Sequence, residues 1–314
     1  MADFSATDAA FTGFRIVRER PLAVVVWAVA QSVIGLVLGA FTVTAAGPAL
    51  MALEARGFTA QDPTAAMETL PQLLPLYFVL LVFSLIFYPI IYAAMARAVL
   101  RPNDDRFGYL RLGLDELRQL GLMLSILVIG FVFYAMSILV LALVIVVGGF
   151  VGGATTGHPA VGPTAVGVGV AVLAVIAFVG FWLVAAVRLS LASPLTFATE
   201  RVNLFGSWAL TRGRFWPILG TYLLTLAMAA VVYMLGYAVI VAFVAVVGGG
   251  IGGLQALVHP DLSSLKAFLA PARLVQVVLS SILTALIWPV ILTPPAAIYR
   301  SLVARGPGDL QHRA

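Results

Sequence analysis

Long apolar stretches separated by short polar segments dominate the pattern of this chain. Five stretches contain no Asp, Glu, Lys or Arg, and they cover residues 21–53, 69–96, 119–187, 215–260 and 274–299. Each is longer than the roughly 20 residues that an α-helix needs to cross a bilayer. The longest holds two spans, divided by the Gly- and Pro-containing segment 148–163. The pattern therefore predicts six transmembrane helices, at about 22–46, 72–96, 120–147, 165–187, 215–247 and 274–299.

Three similar units follow one another along the chain. VVGGFVGG at 146–153 resembles VVGGGIGG at 246–253, and the second, fourth and sixth spans end in similar Ala-Ala motifs at Arg97, Arg188 and Arg300. We therefore predict one transmembrane domain over 1–314, with repeats at about 4–100, 103–192 and 196–303 and a cytoplasmic tail at 304–314. The predicted fold class is an all-α integral membrane protein, whose six transmembrane helices form three repeats of a cytoplasmic amphipathic helix plus a transmembrane hairpin.

Each predicted hairpin follows a segment with apolar residues at helical spacing. The first segment starts at Ser5, in a capping-box-like pattern, and places three aromatic residues on one face: Phe4, Phe11 and Phe14. The second starts at Asn103, spaces Arg111 and Asp115 for an ion pair, and carries an apolar stripe of Phe107, Leu110, Leu114 and Leu117. The third is interrupted at Gly206. Such helices either pack beneath the bundle as anchors or lie among the lipid headgroups.

Composition and charge support a membrane protein and indicate its orientation. Hydrophobic residues make up 62% of the chain and charged residues 10%, against roughly 25% charged residues in soluble domains. The net charge of +5 could suggest a nucleic-acid partner, but the distribution of basic residues favours membrane topology. Fifteen arginines fall on one predicted side, whereas the other side has only Arg56, Lys266 and Arg273. We therefore expect a multi-pass protein of the bacterial inner membrane with both termini in the cytoplasm and no nucleic-acid partner.

The residues best placed to meet a lipid headgroup are arginines and tryptophans at the predicted cytoplasmic interface. They are Arg97, Arg188, Arg300, Trp208, Arg212, Arg214 and Trp216. Arginines at three helix ends could form a basic ring that binds phosphate through forked hydrogen bonds. Alternatively, each extends to the interface and only anchors its helix.

Few residues suit catalysis, metal binding or coupled ion transport. The chain has no cysteine, which excludes disulfides and thiolate chemistry, and neither GxSxG nor a phosphate-binding GxxxxGK[ST] occurs. His158 and His259 lie in corresponding loops, with Asp261 nearby, but a catalytic zinc normally has three protein ligands. The spans contain no ionisable Asp, Glu or Lys, and their main polar side chains are Gln31 and Gln276. We assign no catalytic residue, metal or cofactor.

One segment carries a family resemblance. Ser207-Trp208-x-Leu210-Thr211-x-Gly213-x-Phe215-Trp216 leads directly into a span, and Arg18-x-Arg20-Pro21 closes the first amphipathic segment. This pattern resembles bacterial multi-span proteins of the glycerophosphoryl diester phosphodiesterase membrane-domain type and related six-span proteins of unknown function. The resemblance implies a membrane module without the soluble phosphodiesterase domain that some relatives carry, and phosphodiesterase activity is not transferred.

Three functions stay open at this point. The first is a non-enzymatic membrane module that binds lipid or a partner, which could be another protein or a second copy of the chain. The second is a permease or transporter of a lipid or other amphiphile, because structural repeats and kinked spans are common in transporters. The third is a membrane enzyme, which the lack of a catalytic constellation disfavours.

Overall fold

The computed structural model describes residues 5–56, 63–156 and 165–303, and its regular elements are all helical. The helices are α1 (Ala6–Glu19), α2 (Pro21–Arg56), α3 (Pro63–Leu100), α4 (Leu114–Thr156), α5 (Ala165–Leu189), α6 (Ala192–Thr199), α7 (Gly206–Leu210), α8 (Phe215–Val247), α9 (Ile251–Val258), α10 (Leu265–Phe268), α11 (Pro271–Leu292) and α12 (Pro294–Val303). A short 3₁₀ turn, Arg106–Tyr109, precedes α4.

Six helical stretches in the described ranges are long and apolar enough to cross a membrane. They correspond to α2, α3, α4, α5, α8 and the pair α11–α12. The chain is therefore an all-α, multi-pass membrane protein, and the predicted fold class is confirmed at that level. Helix α8 has the predicted bounds, 215–247, whereas the predicted last span is divided at Thr293 because a new helix begins at Pro294.

The glycine-rich segment after the third span does not end its helix. Helix α4 continues through the glycines at 148–153 and reaches Thr156, so the predicted break at the start of 148–163 is wrong. A backbone in hydrocarbon must satisfy its own hydrogen bonds, which favours helix even at glycine. The corresponding run at 246–253 instead turns at Gly249 and Gly250, which have φ of +75° and +81°, and α9 follows. The two similar sequences thus adopt different structures, and the repeat organisation is not confirmed.

Helix α11 lies between α2 and α8 and forms the centre of the bundle. Glycines on α2 allow close packing on two helices: a Cβ at Gly35 would press on Val277 of α11, and one at Gly39 would overlap the Phe268 ring of α10. In contrast, the hairpin of α4 and α5 is largely exposed along its apolar length, and α4 packs mainly against α5 and α3.

Helix α1 packs against the bundle mainly through small residues. Its buried residues include Ala9, Gly13 and Ile16, and a Cβ at Gly13 would overlap the backbone of Pro289 and Val290 on α11. Of the aromatic residues predicted to share one face, Phe11 is 50% exposed, and Phe4 lies outside the described residues. Small residues form this contact because they allow two helices to approach closely.

The second amphipathic segment is not a continuous helix from Asn103. It forms the 3₁₀ turn, with Phe107, Gly108 and Tyr109 at positive φ, before α4 starts at Leu114. Three of the four stripe residues are strongly exposed: Phe107, Leu114 and Leu117. The third segment is interrupted as predicted, although the break covers 200–205 and Gly206 begins α7.

Candidate functional site

One end of the bundle gathers most of the described arginines. Hydrogen bonds link Arg20 to Asp105, Arg101 to Glu200 and Arg300 to the carbonyl of Val99. These contacts bring together the start of α2, the end of α3, the turn before α4, the loop after α6, and α12. We call this end the basic end.

Arg97 lies at the centre of an ion cluster and is not available to a ligand. It is only 2% exposed and donates to Glu116 Oε1 at 2.7 Å and to the Tyr109 carbonyl at 2.5 Å. The Asp115 carboxylate is 3.5 Å away, and the guanidinium lies over the Phe197 ring. The charge of Arg97 is balanced within the protein, which fits the anchoring interpretation rather than the basic ring.

The turn before α4 positions the acidic partners of Arg97. Trp27 of α2 donates its Nε1–H to the Gly108 carbonyl at 2.6 Å, and Gly108 has a φ of +63°. A Cβ at Gly108 would lie 3.2 Å from the Ala23 carbonyl oxygen, so glycine suits both the conformation and the space. The turn therefore packs against α2 and brings the start of α4 toward Arg97.

The cluster is electrically balanced. It pairs five arginines with five carboxylates: Arg20, Arg97, Arg101, Arg111 and Arg118 with Asp104, Asp105, Asp115, Glu116 and Glu200. Arg111 bonds Asp104 rather than Asp115, so the predicted i,i+4 pair is wrong. The sequence contained a signal for this cluster, because four of the thirteen acidic residues lie within 104–116.

Arg300 also has a partner within the protein. Its Nη1 donates to the Val99 carbonyl at 3.1 Å, in the last turn of α3. A guanidinium at this position donates to a carbonyl that has no N–H donor within the helix. Its charge also opposes the negative end of the helix dipole. Arg300 therefore joins two helix ends, as the anchoring interpretation predicts.

Arg188 differs from Arg97 and Arg300 in lacking hydrogen-bond partners for part of its guanidinium. Its Nε and Nη1 atoms are buried and have no hydrogen-bond partner in the described part of the chain. Its guanidinium carbon lies 5.6 Å from the centre of the Trp208 ring, which can attract a cation but cannot accept a directional hydrogen bond as an oxygen does. Leaving charged donors without acceptors is costly, and Arg188 is the one arginine of the described chain with such buried donors.

The segment that carries the family resemblance holds the end of α5 in place. Ser207 Oγ donates to the Arg188 carbonyl at 2.6 Å and accepts from the Leu191 N–H at 3.1 Å. The Thr211 hydroxyl contacts the same carbonyl at 3.5 Å. Gly213 then reverses the chain with a φ of +76° before α8 begins. The conspicuous Ser, Trp and Thr of this segment therefore fix the backbone and side chain of Arg188.

The remaining predicted lipid-contact residues follow Arg188 in sequence, and Trp208 also lies against its guanidinium. Trp208 is half-exposed, Arg212 is exposed, and Trp216 is 77% exposed at the start of α8. Arg214 donates to the Leu210 carbonyl at 3.3 Å. We call Arg188, Trp208, Arg212 and Trp216 the Arg188 patch. No carboxylate among the described residues pairs with Arg188 or Arg212, so the patch is positively charged.

The histidines do not form a metal site within the described chain. His259 Nδ1 lies 2.6 Å from Glu54 Oε1 at the end of the bundle opposite the basic end, and His158 lies outside the described residues. No group of three metal-ligating side chains occurs among the described residues. Asp261 is bound within its own turn, where hydrogen bonds from the hydroxyl and backbone N–H of Ser263 lower the pKa of its carboxyl.

Fold and site together define a multi-pass helical membrane protein with one charge-balanced arginine cluster and one arginine patch without acidic partners. No protein-family model, curated protein or solved structure matches this chain. The resemblance to the phosphodiesterase membrane-domain type therefore stays a prediction from the motif residues.

Proposed function

We propose that this protein is a non-enzymatic module of the bacterial inner membrane that binds an anionic phospholipid headgroup at the Arg188 patch. In this proposal both termini and the basic end face the cytoplasm, as the arginine distribution favours. The observation that carries the proposal is the Arg188 guanidinium, with two buried nitrogens that have no acceptor among the described residues. A lipid phosphate supplies oxygens at the spacing that a guanidinium fork binds.

The position of the patch supports a lipid rather than a soluble anion. Arg188 lies one residue before the end of α5, where a membrane helix reaches the headgroup level. Trp208 lies against Arg188, the exposed Trp216 begins the next span, and tryptophan is enriched at membrane–water interfaces. In this proposal the patch brings a hydrogen-bonding cation and two interfacial aromatic residues to the depth of lipid phosphates.

The test is titration of the detergent-solubilised full chain with short-chain phosphatidylglycerol, using phosphatidylcholine as the neutral comparison. We expect Arg188→Gln to weaken phosphatidylglycerol binding by about tenfold or more, the effect of losing a charge-assisted hydrogen bond. Arg188→Lys should recover only part of the affinity, because lysine keeps the charge but lacks the fork.

Arg106→Gln is the matched control because it removes the same charge from an exposed position outside the patch. Equal weakening by Arg188→Gln and Arg106→Gln would show nonspecific attraction and would refute the site. Higher salt should weaken the phosphatidylglycerol interaction, although less than for a fully exposed pair. Transport of an amphiphile stays a prediction of the sequence, with no observation that favours it over binding.

A further inference from the structure

Two apolar side chains before α4 are turned away from the protein. Phe107, in the 3₁₀ turn, is 81% exposed, and Leu112, between this turn and α4, is 82% exposed. Tyr109, only two residues after Phe107, is fully buried. The segment therefore packs one aromatic ring inside the basic end and presents another on the surface.

The outward position of Phe107 depends on an unusual backbone. Phe107 and Tyr109 have φ of +50° and +66°, a left-handed conformation that bulky residues rarely adopt. The Trp27 indole and the Arg97 guanidinium hold this conformation by donating to the carbonyls of Gly108 and Tyr109. Strained backbone of this kind persists where the surrounding structure fixes it, and it is common at functional positions. Because both hydrogen bonds use backbone carbonyls, the Phe107 ring can be replaced without removing them.

The turn lies beside the start of the first membrane span. A Cβ at Gly108 would lie 3.2 Å from the Ala23 carbonyl oxygen and 3.2 Å from the Val26 Cβ. Ala23 and Val26 are two and five residues beyond the start of α2, or about 3 and 8 Å along its axis. The apolar stretch that contains the third span also starts in this turn, at Arg106. A turn at the start of two spans is level with the boundary between lipid headgroups and acyl chains.

Exposed apolar strips on two spans meet at this segment. Val26, which lies next to the turn, belongs to a strip of exposed residues that recur at helical spacing along α2: Leu22, Val26, Val29, Val33 and Val37. Helix α4 carries a second strip that begins two residues after Leu112: Leu114, Leu117, Leu124, Val128 and Phe131. Large exposed apolar surfaces of this kind mark contact with a membrane or a protein, and on membrane spans they face lipid. The lipid that covers both strips is therefore continuous with Phe107 and Leu112.

We propose that Phe107 and Leu112 insert into the membrane leaflet at the basic end and anchor the turn there. The occupant of this surface is the acyl-chain boundary of the bilayer, and the exposed Arg106 beside Phe107 extends toward the lipid phosphates. Insertion fixes the depth of the Arg97 cluster, because the same turn is hydrogen-bonded to Arg97. This anchor includes none of the residues of the Arg188 patch.

The experiment measures the depth of single nitroxide labels on the full chain, which has no native cysteine. The labels are attached to Phe107→Cys, to Leu112→Cys and, as the matched control, to Asn103→Cys, which is exposed in the same loop. The chains are reconstituted in vesicles of phosphatidylcholine and phosphatidylglycerol, and power-saturation EPR compares access by oxygen with access by a water-soluble nickel chelate. We expect the labels at 107 and 112 to lie about 5–10 Å below the headgroup surface, the depth of interfacial apolar side chains, and the label at 103 to lie in water.

Two accessibility results would overturn the anchor. Nickel access at Phe107→Cys equal to that at Asn103→Cys would place the turn in water. Low access of both oxygen and nickel to the Phe107→Cys label would place it against another protein molecule.

A charge introduced at Phe107 tests whether the ring holds the turn in the membrane. In the Leu112→Cys chain, Phe107→Asp should move the label toward water, because a carboxylate is costly to insert among acyl chains. Asn103→Asp adds the same charge outside the inserted pair and should leave the label depth unchanged. Equal depths in the two variants would contradict anchoring by Phe107. Arg188→Gln should leave the depth unchanged, so the anchor and the proposed headgroup site can fail independently.

Discussion

At the scale of residues, similar sequence motifs give three arginines different roles. Arg97 is neutralised by Glu116 and its neighbours, Arg300 bonds a helix-end carbonyl, and Arg188 has buried nitrogens without an acceptor in the part of the chain that the structure describes. The difference depends on which segment packs beside each helix end. An arginine that is balanced inside the protein serves stability, and one without an acceptor is suited to a ligand.

The ion pair between Arg97 and Glu116 should contribute strongly to stability. Replacing Glu116 by alanine leaves a buried guanidinium with fewer compensating oxygens, and we expect it to lower the free energy of unfolding by about 3 kcal/mol. Glu200→Ala is the matched control, since the Glu200 side chain is 55% exposed in its pairs with Arg101 and Arg118, and it should cost less than about 1 kcal/mol. Equilibrium unfolding in mixed micelles measures both, and similar losses would contradict the burial argument.

At the scale of elements, α1 is docked on the bundle by its small residues. Its Gly13 lies directly against the backbone of Pro289 and Val290, where a methyl group has no space. The neighbouring Phe11 and Phe14 rings contact each other, with centroids 6.0 Å apart. The element therefore belongs to the folded core of the basic end and also presents an aromatic surface outward.

Replacing Gly13 by alanine should loosen α1, because the added methyl group forces the helix away from α11. We expect faster hydrogen exchange over Ala6–Glu19 with little change in α8. Gly180→Ala adds the same methyl group on α5, where no atom lies within 4 Å, and should leave the exchange of α1 unchanged. Unchanged α1 protection in Gly13→Ala would show that the contact does not hold the element.

At the scale of the whole molecule, orientation can be tested because the chain contains no native cysteine. Asn103 and Ser263 suit single cysteine substitutions, because both residues are exposed and they lie at opposite ends of the bundle. In intact bacterial cells, a membrane-impermeant maleimide should label Ser263→Cys but not Asn103→Cys, and inverted membrane vesicles should reverse the pattern. The opposite labelling would place the basic end outside the cytoplasm.

The sequence predicted the six spans well and the tertiary partners poorly. Charge-free runs such as 215–247 define a span by composition alone, because hydrocarbon admits few charges. Two features depend instead on the bilayer and on tertiary packing, which local sequence patterns do not contain. They are the continuation of α4 through its glycines and the 3₁₀ turn that replaces a helix before α4. The burial of Arg97 depends on Glu116, which approaches only after the turn at Gly108 packs on Trp27.

The candidate site was predicted in part. The motif around Ser207 and Trp208 was identified, and the structure places both beside Arg188. The distinction between Arg188 and the other two helix-end arginines was not predictable, because it depends on the absence of a nearby carboxylate in three dimensions. Sequence spacing showed where basic residues reach the interface but not which of them is already paired.

The most direct test of the proposed function is native mass spectrometry of the chain extracted gently from bacterial membranes. The proposal predicts one retained anionic phospholipid per chain in the wild-type protein and in Arg106→Gln, and loss of that lipid in Arg188→Gln. Retention of the same lipid by Arg188→Gln, or equal retention of zwitterionic lipid by the wild type, would contradict the assignment of the headgroup site to Arg188.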